Sequence, residues 1–97
     1  MDETLAKVLA SLIRKTEGEA FDASVRFEFV DVGALRLDEQ GARVDDGSEA
    51  DCVISADLDT FRALFDGDLG PTAAFMTGRI RISGDMGVAM KAAGLLG

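Results

Sequence analysis

Glycines punctuate the last third of the chain so often that neither a long helix nor a long strand fits there. Gly67, Gly70, Gly78, Gly84, Gly87, Gly94 and Gly97 cut it into short pieces. Gly70-Pro71 opens a short helix, because proline suits the first helical position. That helix carries Ala73, Ala74, Phe75 and Met76 and stops at Gly78. Arg79 to Ser83 alternates, with Ile80 and Ile82 on one side and Arg79 and Arg81 on the other, which predicts a strand. Asp85 caps a closing helix that runs to about Leu96.

The first two thirds supply the partners for these pieces. Leu5, Val8, Leu9, Leu12 and Ile13 recur at helical spacing, predicting a helix of about four turns that ends near Gly18. Val25, Phe27 and Phe29 alternate with Arg26 and Glu28, as in a half-buried strand. Asp31-Val32-Gly33 turns the chain into a second strand, Ala34 to Asp38, and Glu39-Gln40-Gly41 turns it again into a third, Ala42 to Asp45. Connections this short make an antiparallel meander. After the polar loop Asp46 to Glu49, Ala50 to Ala56 predicts a fourth strand with Cys52, Ile54 and Ala56 on one face. Asp57 then caps a helix whose apolar stripe is Leu58, Phe61, Leu64 and Phe65, and Gly67 closes it. The connection from the fourth to the fifth strand is long enough for a crossover. The expected product is a single α+β domain over residues 1–97. Its five-stranded mixed sheet is mostly antiparallel meander plus a crossover strand, with helices over one face.

Composition excludes several functions. The net charge of −8 argues against nucleic acid, whose phosphates need a basic surface, and against docking on anionic headgroups. The chain has no His, which removes Ser-His-Asp and Cys-His pairs and His-ligated metal sites. Its one cysteine, Cys52, sits in an apolar run and reads as a buried thiol. Asp45, Asp46, Glu49 and Asp51 read as a solvated turn, and Asp57 and Asp59 as helix N-terminal charges. Gly84-Asp85-Met86-Gly87 lacks dinucleotide-loop spacing. No cofactor, no metal and no catalysis are therefore expected. No apolar run approaches the ~18 residues of a membrane span, and Met1-Asp2-Glu3-Thr4 is acidic with no signal-like run behind it. A cytoplasmic location is expected.

Several segments together resemble a known family. They are Gly67-Asp68-Leu69-Gly70-Pro71, Ala74-Phe75-Met76-Thr77-Gly78, Arg79-Ile80-Arg81-Ile82-Ser83, and Gly84-Asp85-Met86-Gly87-Val88-Ala89-Met90-Lys91, preceded by Ala50 to Ser55 and a helix. The resemblance is to the sterol carrier protein 2 lipid-binding domain family. It covers nearly the whole chain and is most specific in the final third. Thr77 stands where many members have Gln, Leu35 where many have Trp, and Arg79 and Arg81 where Lys is common. Leu95-Leu96-Gly97 is not a Ser-Lys-Leu peroxisomal address.

The resemblance implies a hydrophobic tunnel between sheet and helices that takes fatty acids, acyl-CoA, sterols or prenyl lipids, without chemistry of its own. The inward faces predicted above place Phe27, Phe29, Phe61, Phe65, Phe75, Met76, Ile82, Met86 and Met90 on the tunnel wall. The same phenylalanines could instead close-pack. Unbranched Met76, Met86 and Met90 suit an adaptable apolar surface. The last helix, presenting Met86, Ala89, Met90 and Ala93, is expected to gate the ligand. The partner is then a hydrophobic small molecule. The alternative is a protein-interaction or dimerising module in a lipid- or quinone-modifying assembly, with a homodimer or a lipid enzyme as partner.

Overall fold

A computed structural model describes residues 3–16, 20–30 and 32–96. The expected helix end near Gly18, the Asp31 corner of the first turn, the N-terminal Met1-Asp2 and the final Gly97 lie outside the described residues. The elements run α1 (Glu3–Thr16), β1 (Val25–Phe29), β2 (Gly33–Asp38), β3 (Gly41–Val44), β4 (Cys52–Ala56), α2 (Leu58–Asp66), α3 (Pro71–Met76), β5 (Arg81–Gly84) and α4 (Met86–Leu96). The five strands form one mixed sheet in the order β3-β2-β1-β4-β5. The β1–β2, β2–β3 and β4–β5 pairs are antiparallel, and β1–β4 is parallel with Val25 opposite Cys52 and Phe29 opposite Ala56. This is the expected α+β architecture.

Alternation decides which face is covered. Val25, Phe27 and Phe29 of β1, Leu35 and Leu37 of β2, and Cys52, Ile54 and Ala56 of β4 are all buried. They meet Leu5, Val8 and Leu12 of α1, Phe61, Leu64 and Phe65 of α2, and Val88, Ala89 and Ala92 of α4 in one core. Ile13, on the apolar periodicity of α1, remains largely exposed. Asp57 caps α2 by accepting the Thr60 amide at 2.8 Å, and Gly67 ends it in the left-handed conformation at φ 83°. Asp85 caps α4, its carboxylate accepting the amides of Gly87 at 2.8 Å and Val88 at 3.2 Å.

The crossing of the sheet differs from expectation. The connection bearing α2 and α3 returns to an adjacent antiparallel strand, so it is not a crossover. The crossing segment is the polar loop 45–51, which carries the chain past β2 and β1 to the far side of β1. Its signal is the pair Arg26 and Arg36, which alternate with buried apolar residues and therefore point to the face away from the helices. Arg36, only 4% exposed, donates from Nε to Asp38 at 2.9 Å and from Nη1 to Asp45 at 3.1 Å. It also donates to the carbonyls of Ser48 and Glu49. Arg26 approaches Asp45 at 3.2 Å and donates to Ser48. The guanidinium groups thus pin the loop across the sheet.

Two strand boundaries also move. β5 begins at Arg81 rather than Arg79, because the amides of Arg79 and Ile80 both turn back to the Ala74 carbonyl. β4 begins at Cys52 rather than Ala50, because the Asp51 amide donates to Ser24 Oγ at 2.8 Å. At Gly84 the two strands come very close. A Cβ there would lie 2.5 Å from the Asp51 carbonyl oxygen, and φ is +92°, so only glycine fits without strain.

The buried arginine generates two predictions. Arg36→Leu takes one of two arginine partners from each of Asp38 and Asp45, leaving Arg43 and Arg26, and removes the hydrogen bonds from Arg36 to the Ser48 and Glu49 carbonyls. Breaking a buried pair from one side costs about 3–5 kcal/mol, and the remaining arginines place this loss at the lower end. Urea denaturation should show a loss in that range; a loss below about 1 kcal/mol would mean the loop is held by something else. The second concerns pH. Burial alone would raise the Asp38 carboxyl, but hydrogen bonds from Arg43, the Gln40 amide and Arg36 outweigh it and hold it below the usual carboxylate range. At Asp45 burial likewise favours a rise, and hydrogen bonds from the Gly47 amide, Arg36 and Arg26 outweigh it and hold the carboxyl low. Depressed folded-state values mean that this stabilisation is complete above about pH 4 and is lost as pH falls through them. Thermal midpoints by circular dichroism should be flat from pH 7 to 5 and drop below pH 4, with a smaller drop in Arg36→Leu. A main drop between pH 7 and 5 would contradict this.

Candidate functional site

Aromatic packing divides the interior into a closed part and an open part. Phe61 lies 5.7 Å from Phe27 in an edge-on pair and 4.6 Å from Phe29, and Phe65 lies 5.9 Å from Phe27. Offset and edge-on contacts of this kind are the preferred aromatic geometry. They clamp α2 onto β1. Phe27, Phe29 and Phe65 are consumed in this cluster and do not line the cavity beside it. Phe61 belongs to both: it is fully buried, packs on Phe27 and Phe29, and its remaining side faces the cavity.

That cavity measures about 240 Å³ and lies between the sheet, α2, α3 and α4. Its floor is Ile54 of β4 with Ile80 and Ile82 at β5; Ile54 and Ile82 are directly opposite in the strand pairing. One wall is Phe61 and Leu64 of α2, and another is Pro71, Thr72 and Phe75 of α3. Met86, Ala89, Met90 and Ala93 of α4 close the far side. Their three- and four-residue spacing puts them on one helical stripe, next to the stripe of Val88, Ala89 and Ala92 that packs into the core. A six-residue helix such as α3 is too short to cover the inner face of β5, and α4 approaches it with alanines. The gap follows from those two facts.

Of the nine residues expected on the wall, the structure brings Phe61, Phe75, Ile82, Met86 and Met90 together. Met76 stands apart, 79% exposed on the outer side of α3 and outside the lining. Its place is a matter of helical phase: one residue past Phe75 is a 100° rotation away from the cavity. Missing from the expected wall were Ile54, Leu64, Ile80, Thr72 and Pro71. Ile54 and Ile80 were legible in principle, since each shares a face with Ile82. Phe75 and Met86 are each 47% exposed and Met90 is 73% exposed, so the cavity opens to solvent between α3 and α4.

The lining carries a single hydroxyl, that of Thr72, and no ionisable side chain. Cys52 lies nearby in the core. Burial pushes its thiol up, and Asp85 and Asp51 add to the effect, so it is held in the unreactive protonated form. Among the described residues no group of His, Cys, Asp or Glu is arranged to hold a metal ion, and no helix is long and apolar enough to cross a membrane. A larger depression of about 620 Å³ lies on the opposite face beside loop 45–51. It is shallow, and Arg26, Glu28 and Asp45 on its wall pair with one another, so it lacks the enclosed apolar character of the first.

Comparison with known proteins agrees with this architecture. The hydroxysteroid dehydrogenase-like protein 2 of Danio rerio is 33% identical over 94 residues, which is 94% of this chain and 23% of that protein. The chain therefore spans less than a quarter of the curated relatives first matched. The apo form of sterol carrier protein 2 from Yarrowia lipolytica has a TM-score of 0.66 at 24% identity, over 98% of this chain and 78% of that one. Sterol carrier protein 2 of Aedes aegypti, in complex with palmitate, has a TM-score of 0.74 at 14% identity, over 99% of this chain and 96% of that one. The family match itself covers residues 4–97, and the chain belongs to the SCP-2 sterol transfer family.

Proposed function

We propose that this domain binds and carries a hydrophobic lipid in the apolar cavity between the sheet and α2, α3 and α4, without transforming it. The observation that carries this reading is a cavity of about 240 Å³ walled by isoleucine, phenylalanine, methionine and alanine, with no ionisable group on its wall. A closed dry void of that size would cost about 6 kcal/mol at ~24 cal/mol per Å³, comparable to the whole stability of a small domain. Opening the wall to water relieves the void but wets apolar surface, and an aliphatic occupant removes both costs. The palmitate held by the Aedes aegypti relative supports the same use of the fold. The wall offers no general base, and none to activate its one hydroxyl, Thr72, which supports a non-catalytic role. Met86 and Met90, flexible and partly exposed at the opening, suit the gating role expected of α4.

A second reading has its own support. The relatives carry this domain as a minor part of a longer, dehydrogenase-like chain. Phe75, Met76, Met86 and Met90 are exposed large apolar side chains on α3 and α4. Such a surface fits a module that presents lipid to, or docks on, an attached or separate enzyme.

Ala93→Trp tests the first reading, because it places an indole into the cavity from a partly exposed position on α4. Native mass spectrometry after incubation with palmitate should show an adduct for the parent protein and at least a tenfold weaker one for Ala93→Trp. Met76→Trp, outside the lining, should bind as the parent does. Equal adducts in all three would remove the cavity from the account. A dimer that persists without any adduct would favour the second reading.

A further inference from the structure

The exposed sulfur of this chain is gathered at the mouth of the cavity. The sequence holds four methionines and one cysteine. Three of the methionines, Met76, Met86 and Met90, fall on α3 and α4. Cys52 is buried in the core, and its thiol is held in the protonated form. Met86 and Met90 are exposed, yet both line the cavity. Their spacing of four residues stacks them on one face of α4. Met76 is exposed too and lies outside the lining. Among the described residues, every exposed sulfur therefore sits on these two helices, and two of the three face the space an occupant would fill.

A thioether in contact with solvent is open to oxidation. The sulfur attacks one oxygen of a hydroperoxide, and an S–O bond forms as the O–O bond breaks. Sulfur loses two electrons and the peroxide gains them. The proton of the transferred oxygen passes to the departing one, which leaves as water or an alcohol. A neutral hydroperoxide approaches without repulsion from the net charge of −8. The product, methionine sulfoxide, is polar where the thioether was apolar.

At Met86 and Met90 that polar group would stand on the apolar wall. The lining supplies one hydroxyl, Thr72 on α3, and no charged side chain to receive it. With the cavity open, water hydrates the sulfoxide oxygen. An aliphatic occupant strips that water and leaves the acceptor unpaired, which opposes binding. At Met76 the same change stays in solvent and meets no occupant. We propose that Met86 and Met90 are a modification site: hydroperoxides oxidise them to sulfoxides, which lowers affinity for the occupant and releases it, and sulfoxide reduction restores binding. This rests on the lipid-carrying function proposed above and adds its control by oxidation.

Hydrogen peroxide treatment of the whole chain, with palmitate as the probe and titration calorimetry as the readout, tests this. The chain has no Trp, Tyr or His, so peptide mass spectrometry assigns oxidation among its sulfurs. Each protein is compared with its own untreated form. Oxidation of Met86 and Met90 should weaken palmitate binding by about fivefold or more in the parent and in Met76→Leu. The double variant Met86→Leu with Met90→Leu, which keeps Met1 and Met76, should change by less than about twofold. Incubation with both methionine sulfoxide reductases, one for each epimer, should return the treated parent to its original affinity, which lasting damage to the fold would not allow. Unchanged affinity after oxidation of both methionines, an equal loss in the double variant, or no recovery with the reductases would each overturn the switch while leaving the lipid-carrying reading intact. An untreated parent that binds no palmitate would overturn that reading, and the switch with it.

Discussion

Phe61 stands between two environments, and the molecule's architecture depends on that position. Its ring is fully buried and meets Phe27 edge-on at 5.7 Å and Phe29 at 4.6 Å. Those contacts fix the distance and angle of α2 over β1, and the Asp57 cap and the Gly67 terminus fix where the helix starts and stops. With α2 held, the only helix in the segment 67–80 that leads from it into β5 is the six-residue α3. The inner face of β5 is therefore left partly uncovered, and the far side of Phe61 becomes the wall of a cavity. Filling a core completely stabilises it most. Here a short helix and an alanine-lined one leave space beside an otherwise well-packed cluster.

The other face of the sheet solves a different problem. Parallel pairing of β1 with β4 requires the chain to travel from β3 at one edge across β2 and β1. A loop of acidic residues, serine and glycine, with Ala50 its one apolar side chain, has little apolar surface with which to hold itself to the sheet. Arg36 and Arg26 do so through charge and through the carbonyls of the loop. The parallel pair in turn brings Ile54 into line with Phe27 and opposite Ile82. The polar strap on one face thus sets the cavity floor on the other.

Most of the fold was legible in the sequence because its signals are local. Alternation along Val25 to Phe29, the Asp57 and Asp85 caps, and the glycines after each helix each act within a few residues of themselves. The crossover was assigned to the wrong connection because the segment between β4 and β5 has the length, whereas the loop 45–51 depends on arginines remote in sequence. Helix stripes likewise showed that α4 turns Met86, Ala89, Met90 and Ala93 to one side. They could not show whether Phe27, Phe29 and Phe65 face a cavity or one another, since both arrangements use the same inward positions. Met76 is a case of phase: a composition-level view groups it with Phe75, and the geometry of α3 separates them.

Methyl NMR of methionine-labelled protein tests the central claim most directly, because Met86 and Met90 line the cavity while Met76 lies outside it. During titration with 1-decanol, the methyl signals of Met86 and Met90 should shift and saturate together, with cross-peaks from ligand methylenes to the Phe61 ring. The Met76 signal should stay in place. Shifts confined to Met76, or no saturable shift at Met86 and Met90, would contradict a lipid site between the sheet and α4.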